Sequence, residues 1–334
     1  MRRTVAVIIA VAALVAACGG GATSPAISSS PTEMHSPTAL VTPTAQPTPE
    51  PSFVEPPGTA TPSAARVRQW AADALAFGET FDAAYADPEA VFMAFAEDAR
   101  TRDPSNGDYL FDGKKAIVSA WEGLVRGWPD LDAHPTAAYV SSDGALIATD
   151  VDNLAPDRLH ELRRYRWNGN RVTEFELWYR VDQLGGCQPG TCEADARQLA
   201  DRYLAAWSGD TADAVAAMYR DDATLSDTLI GVDAVGSAAI AETAEQRFGT
   251  AAPACQAIDL YGLTNGGIQI IGLAIHAQCV PSGAPSSAVE SVFLLRFGSY
   301  AGDGFDVDAD GLITSEEVYH DADSLAASGL LGDE

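Results

Sequence analysis

The chain predicts two α+β units in tandem, each a curved antiparallel sheet wrapped on the helices that precede it. Three observations carry this expectation. The stretch from Arg220 to Gly231, RDDATLSDTLIG, has an earlier echo: Glu97-Asp98-Ala99 falls on Asp221-Asp222-Ala223, Asp103 on Asp227, and Gly113 to Ile117 on Gly231 to Val235. Helical spacing comes first and strand spacing afterwards in both units. Both units also close on similar strands, RVTEFELWY and LITSEEVYH, with Ile313 on Val172 and Thr314 on Thr173.

The elements follow in chain order. Residues 1–17 hold a basic pair, an apolar run from Val5 to Val15 and small residues before Cys18, the layout of a leader peptide. The run is too short for a spanning helix. Val15-Ala16-Ala17-Cys18 resembles a bacterial lipobox, which implies cleavage and lipidation of Cys18 and an extracytoplasmic protein anchored to the cell membrane. Residues 18–63 are Pro, Thr, Ser, Ala and Gly with almost no large apolar side chain, and they read as an extended tether.

The first unit spans 64–184. Helical spacing through Ala64–Ala86 is followed by a helix opened by Asp87-Pro88, an extended stretch at ARTRD and a third helix over KKAIVSAWEGLVRGW. Strands then run TAAYV, ALIATDV, LHELRRYRW and RVTEFELWYR, separated by Asp143-Gly144 and Asn168-Gly169 turns. The second unit, 193–322, repeats the order: DARQLADRYLAAWSGD, TADAVAAMYRDD and GVDAVGSAAIAETAEQRF read as helices, ATLSD as a short strand. QAIDLYGL, IQIIGLAIHAQCV, AVESVFLLRF and LITSEEVYH read as strands, and residues 323–334 as a frayed acidic tail.

Charge excludes one class of partner. Loss of the leader removes Arg2 and Arg3 and leaves 18 basic against 47 acidic side chains, a formal charge of −29. Such a surface repels phosphate backbones and anionic headgroups, so nucleic acid is not expected and membrane attachment falls to the lipid alone. Of the other cysteines, Cys187 and Cys192 enclose the short loop QPGT and are expected to close it. Cys255 and Cys279 flank Gly267 symmetrically, so paired strands bring them within the ~5.5 Å Cα separation of a disulfide, given a bulge or a three-residue loop. Two buried free thiols are the alternative.

The element order, with Glu97-Asp98-Ala99 and Asp103 or Asp221-Asp222-Ala223 and Asp227 followed by Gly-x-x-Ala-Ile/Val, resembles the SnoaL-like polyketide cyclases of the nuclear transport factor 2-like superfamily. The resemblance covers 64–182 and 193–322 and implies two tandem cone-shaped domains. It leaves activity open, because that superfamily holds isomerases, cyclases, dehydratases and non-catalytic binding modules. Arg202-Tyr203, Gly209-Asp210, Tyr219 to Thr224 and Asp227 are similar to the ketosteroid isomerase motif. That similarity implies Tyr203 as donor to a developing oxyanion and Asp227 as the base that carries the proton. Asp103 takes the base position in the first unit, where Phe77 and Phe81 stand in place of the tyrosine. The family's second oxyanion donor falls on Phe293, which has no proton to give.

One further motif stands apart. Asp306, Asp308, Asp310, Gly311 and Glu317 satisfy the EF-hand calcium-loop spacing, although Gly298, Gly302 and Gly304 break any entering helix. No cofactor is assigned: calcium is the one this spacing offers, and a long acidic hairpin loop is the alternative. Two function classes stay open. In the first, the chain binds a small apolar or amphipathic ligand, or a protein partner, without catalysis; in the second, Asp227 and Tyr203 run an isomerase, cyclase or dehydratase, with Asp103 in the first cavity. The two units are expected to pair through their sheet faces, within one chain or in a homodimer.

Overall fold

A computed structural model describes residues 61–331 apart from 84, 104–107, 154–157, 185–190, 210, 249–253, 266–268, 281–286, 302–303 and 308–310. Cys18, the tether, Cys187, Asp308 and Asp310 lie outside the described residues, as do the side chains of Asp103, Cys192 and Asp306.

The first half opens with α1 (Ala64–Ala83), whose buried positions Val67, Trp70, Ala74, Phe77 and Phe81 recur every three or four residues and form one apolar stripe. Next comes α2 (Pro88–Ala94), capped by Asp87, whose carboxylate accepts from Glu89 N at 3.0 Å and from Ala90 N. Then follow β1 (Phe95–Asp103), β2 (Asp108–Asp112), α3 (Lys114–Gly127), β3 (Asp132–Val140), β4 (Gly144–Asp152), β5 (Leu159–Asn168) and β6 (Arg171–Arg180). The second half runs α4 (Thr191–Trp207), α5 (Ala212–Ala216), β7 (Tyr219–Asp227), β8 (Val232–Val235), α6 (Ser237–Phe248), β9 (Ala254–Asn265), β10 (Gln269–Val280) and β11 (Val289–Arg296). A hairpin, β12 (Gly298–Ala301) and β13 (Gly304–Val307), precedes β14 (Ile313–Asp321) and α7 (Ala322–Ser328).

Three boundaries differ from expectation. The helix expected to reach Asp222 stops at Ala216, because Tyr219, Ala223, Leu225 and Asp227 are buried at even spacing and belong to a strand. The helix expected from Gly231 is preceded by the short strand β8. The tail does not fray at 323: Asp321 caps α7 by accepting from Ser324 N at 2.8 Å, Gly329 ends it with φ +74°, and Leu325 and Leu331 are buried.

Strands join in the order β6-β5-β4-β3-β14-β11-β10-β9, and β9 pairs back onto β6, so eight strands close into a ring. The two closing seams match. His320 faces Val140 and Asp321 faces Tyr139 at the β14–β3 seam, while Tyr179 faces Gly262 and Arg180 faces Tyr261 at the β6–β9 seam. His320 and Tyr179 each stand six residues past the aligned threonines Thr314 and Thr173, so the two seams are equivalent in register. The side of each sheet turned away from the ring covers helices, which gives two further apolar cores, the first half's being completed by Leu229, Val289, Leu325 and Leu331 from the second.

The ring's interior is a third core drawn from both halves, including Tyr139, Leu146, Leu162 and Trp178 from one and Tyr261, Ile271, Val292 and Tyr319 from the other. It also holds charge. Glu176 and Glu317 occupy equivalent positions, three residues past the same two threonines, and each takes a guanidinium from the opposite half. Arg296 Nη2 donates to Glu176 at 2.8 Å; Arg164 Nη2 donates to Glu317 at 2.8 Å, and Arg166 stands 3.5 Å from it. Arg296 also reaches Glu317 at 2.9 Å and lies over the Trp178 ring, so the exchange is knitted into one network. Close packing there requires Gly272, because a Cβ at that position would meet the Trp178 ring at 2.9 Å.

The cysteine pair Cys255–Cys279 forms a disulfide, with the two residues directly opposite on β9 and β10 after two bulges in the pairing.

Burial by itself pushes the Glu317 carboxyl up, but Arg164, then Arg296 and Arg166, overcome it and hold the group well below the usual carboxylate range. Two predictions follow from the network. Arg296→Ala removes the nearest guanidinium from buried Glu176, which also accepts from Trp178 Nε1 at 3.2 Å, and is expected to cost about 3 kcal/mol in urea unfolding, whereas Arg296→Met with Glu176→Leu is expected to lie near wild type. A folded-state carboxyl below its unfolded value of about 4.3 adds stability that is whole above that pH and is lost as pH falls toward the folded value. Acid unfolding of Glu317→Gln is therefore expected to show a shallower loss below about pH 4.3 than wild type, read by far-UV circular dichroism.

Candidate functional site

Two of the residues singled out for chemistry, Asp227 and Tyr203, meet the helix-facing side of the second half's sheet. Alternation along β14 sends Glu316, Val318 and His320 to this side and Glu317 and Tyr319 into the ring. On β11, Ser291, Phe293 and Leu295 face the same way and stand directly opposite His320, Val318 and Glu316. Three rows result, polar at both ends and apolar in the middle.

Asp227 belongs to the first row. Its Oδ1 lies 2.9 Å from His320 Nε2, and His320 Nδ1 lies 2.8 Å from Ser291 Oγ. An ionised carboxylate only accepts, so Nε2 carries the proton and Nδ1 accepts from the serine. All three are buried, with Asp227 1% exposed.

Tyr203, from α4, belongs to the third row. Its hydroxyl donates to Glu316 Oε1 at 2.7 Å; Tyr219 donates to Glu316 Oε2, and Trp207 Nε1 donates to Tyr219 at 3.2 Å. Burial, and next the charge on Glu316, raise the Tyr219 phenol well above its ordinary value, so it stays a donor. The Tyr203 ring packs on Phe293 at 5.6 Å between centroids.

His320 and Glu316 are four residues apart on one strand, which is about 13 Å. The expected partners Asp227 and Tyr203 are thus held in separate networks with Phe293 and Val318 between them. An oxyanion donor and a base acting on one small substrate need to meet within a few ångströms of it. Glu316, His320 and Ser291 have no role in the sequence reading, and Tyr219 enters it only as part of the ketosteroid isomerase motif. Continuing the period of two from Glu316 to His320, in a strand buried on both faces, is the signal that finds the first two.

The first half's helix-facing core is built differently. Phe77 packs on Tyr165 at 5.2 Å and on Trp167 at 5.4 Å, and Phe81 packs on Trp121 at 5.0 Å. At its polar end Arg163, on β5, donates to Asp82 Oδ1 at 2.6 Å and to Glu161 Oε2 at 2.9 Å. Burial opposes the charge on Arg163, and Glu161 with Asp82 reverse that effect and raise its pKa well above the ordinary value. Asp103 ends β1 opposite Asp108.

The calcium-loop residues are placed otherwise than an EF-hand requires. Asp306 is in β13, paired with Ser299, and Glu317 is in β14 with its carboxylate held by arginines inside the ring. A flanking helix pair is not what encloses this segment; strands do. Elsewhere a polar groove of about 250 Å³ runs between Arg180, Asp182, Glu193, Arg197 and Asp259. Its Arg180–Asp182 and Arg197–Glu193 pairs are solvent-exposed and screened.

If these groups serve structure, stability follows them. His320→Phe is expected to cost about 3 kcal/mol by removing the imidazole that pairs with buried Asp227. Asp227→Asn, which still accepts from Nε2, is expected to cost less. Urea unfolding that finds Asp227→Asn the more damaging of the two would contradict this.

No protein-family model and no curated protein matches the chain. Solved structures similar to it include a SnoaL-like protein of unknown function from Burkholderia thailandensis, at 17% identity and a TM-score of 0.28, covering 34% of this chain and 94% of that one. An NTF2-like protein of unknown function from Mesorhizobium loti is 17% identical with a TM-score of 0.27, covering 35% of this chain and 90% of that one. Another NTF2-like protein, from Cytophaga hutchinsonii, is 10% identical with a TM-score of 0.26 and covers 30% and 84% respectively.

Proposed function

We propose that the chain is a lipid-anchored extracytoplasmic protein whose two tandem SnoaL-like domains bind a ligand or a protein partner and perform no proton-transfer chemistry. The observation that carries this reading is the engagement of both candidate catalytic groups by other buried groups. Asp227 accepts from His320, Tyr203 donates to Glu316, and Phe293 fills the space between the two networks. A base already hydrogen-bonded to an imidazole, about two residue rows from the nearest oxyanion donor, has no shared substrate position. The paired seams support a reading in which the halves act as a built-in dimer, each covering the other's sheet. The leader and Cys18 support the anchor, and the Pro/Thr/Ser-rich stretch supports a tether between anchor and domains.

The test takes the full chain in detergent and follows conversion of a Δ5-3-ketosteroid to its conjugated enone. No rate above buffer is expected. A saturable rate abolished by Asp227→Asn in protein of normal stability would establish the isomerase reading instead. In cells, wild type is expected in the membrane fraction and Cys18→Ala in the soluble extracytoplasmic fraction.

A further inference from the structure

The inner face of the ring does not end with its apolar core. Along β3, β4 and β5 it continues past Ala137, Ala148 and Leu162 to a rim where aspartate and histidine take over. Register fixes which side chains meet there. Asp132 on β3 is directly opposite Asp152 on β4, His134 is directly opposite Asp150, and Asp150 is directly opposite His160 on β5. Five side chains able to ligate a metal thus share one face of three adjacent strands.

The backbone beneath them is pinned. Asn153 takes a φ of +66°, and its amide donates to Asp130 O at 2.8 Å, tying the end of β4 to the segment that precedes β3. Gln183 accepts from His160 N and donates to Arg158 O, both at 2.8 Å. The rim is therefore a prepared surface, and its side chains move on fixed strands.

Arg158 serves two of the three carboxylates, reaching Asp150 Oδ2 at 3.1 Å and Asp152 Oδ1 at 3.0 Å. The third, Asp132, is opposed to Asp152, and like charges directly opposite destabilise a sheet. Between these two stands an imidazole: His134 Nε2 is 3.2 Å from Asp132 Oδ2 and 4.0 Å from Asp152 Oδ2. Donors around a tetrahedral zinc ion, bound at about 2.0–2.1 Å, stand about 3.3 Å from one another. The first separation already has that size, and the second has to close. Among the described residues no three such side chains yet surround one point, but His134 is 51% exposed and Asp132 61%, so both are free to make the adjustment. Arg158 meanwhile holds Asp152 by two hydrogen bonds, the kind of outer contact that orients a ligating carboxylate.

We propose that His134, Asp132 and Asp152 bind a divalent transition-metal ion of the zinc class at the rim of the ring, with Arg158 orienting Asp152. An imidazole beside two carboxylates suits such an ion better than calcium or magnesium, which take oxygen ligands. The inference goes beyond the binding reading given above. It uses none of the residues of that reading, and the ketosteroid assay does not bear on it.

Calorimetric titration and thermal unfolding of the full chain in detergent, with zinc chloride and magnesium chloride as probes, test it. Zinc is expected to saturate at micromolar concentration and to raise the Tm, and magnesium to do neither. His134→Ala and Asp132→Asn, both on exposed side chains, are expected to leave the Tm in chelator unchanged and to weaken zinc at least about tenfold. Arg158→Gln, which leaves the three ligands in place, is expected to weaken zinc about tenfold. Zinc bound equally by wild type and His134→Ala, magnesium bound as tightly as zinc, or no saturation by about 1 mM zinc overturns the proposal.

Discussion

Everything in this fold hangs on the exchange of arginines across the ring. Glu176 and Glu317 are each placed by their own half and neutralised by the other, through Arg296 in one direction and Arg164 with Arg166 in the other. A charge in such a place is tolerable only when paired. Neither half can therefore present its sheet to solvent or to an apolar partner without exposing or stranding an ion. That constraint accounts for the closed ring, the equivalent seams and the mixed interior in which Trp178 and Tyr319 pack beside guanidinium groups.

With the inner faces engaged in this way up to the rim, each half keeps its helix-facing core for other purposes. The two cores differ. In the second, two carboxylates are fully provided with donors from Tyr203, Tyr219 and His320, and Phe293 separates them. In the first, the row equivalent to Phe293 carries Arg163, and aromatic rings replace the tyrosine–glutamate pair. One core has the character of a filled scaffold, and the other packs aromatic rings beside a buried Asp82–Arg163–Glu161 cluster.

Much of the architecture was legible before any coordinates. The period-two runs located β3 to β6, β9 to β11 and β14, and the threonine alignment of 173 on 314 gave the equivalence that both seams obey. Short elements were less legible, since β8 is four residues long and Tyr219 sits where helical and strand spacing overlap. The surroundings of the site residues were less legible for a different reason. A motif compares residues along the chain, whereas the separation of Asp227 from Tyr203 depends on which row of β14 each one meets. Glu317 was assigned to a calcium loop because spacing alone does not reveal that a strand turns it inward toward three arginines.

The partners in the ring lie far apart in sequence. Arg164 and Glu317 are separated by 153 residues, and the strand that supplies Glu317 also supplies Glu316 and His320. As the chain emerges from synthesis, the first half's inner face must wait, bare and charged, for the last strand. Contacts of such long range form slowly, and the waiting intermediate exposes two unpaired strand edges. The strand that carries Glu317 is the last of the described strands, so the fate of the ring is decided by the part that arrives last.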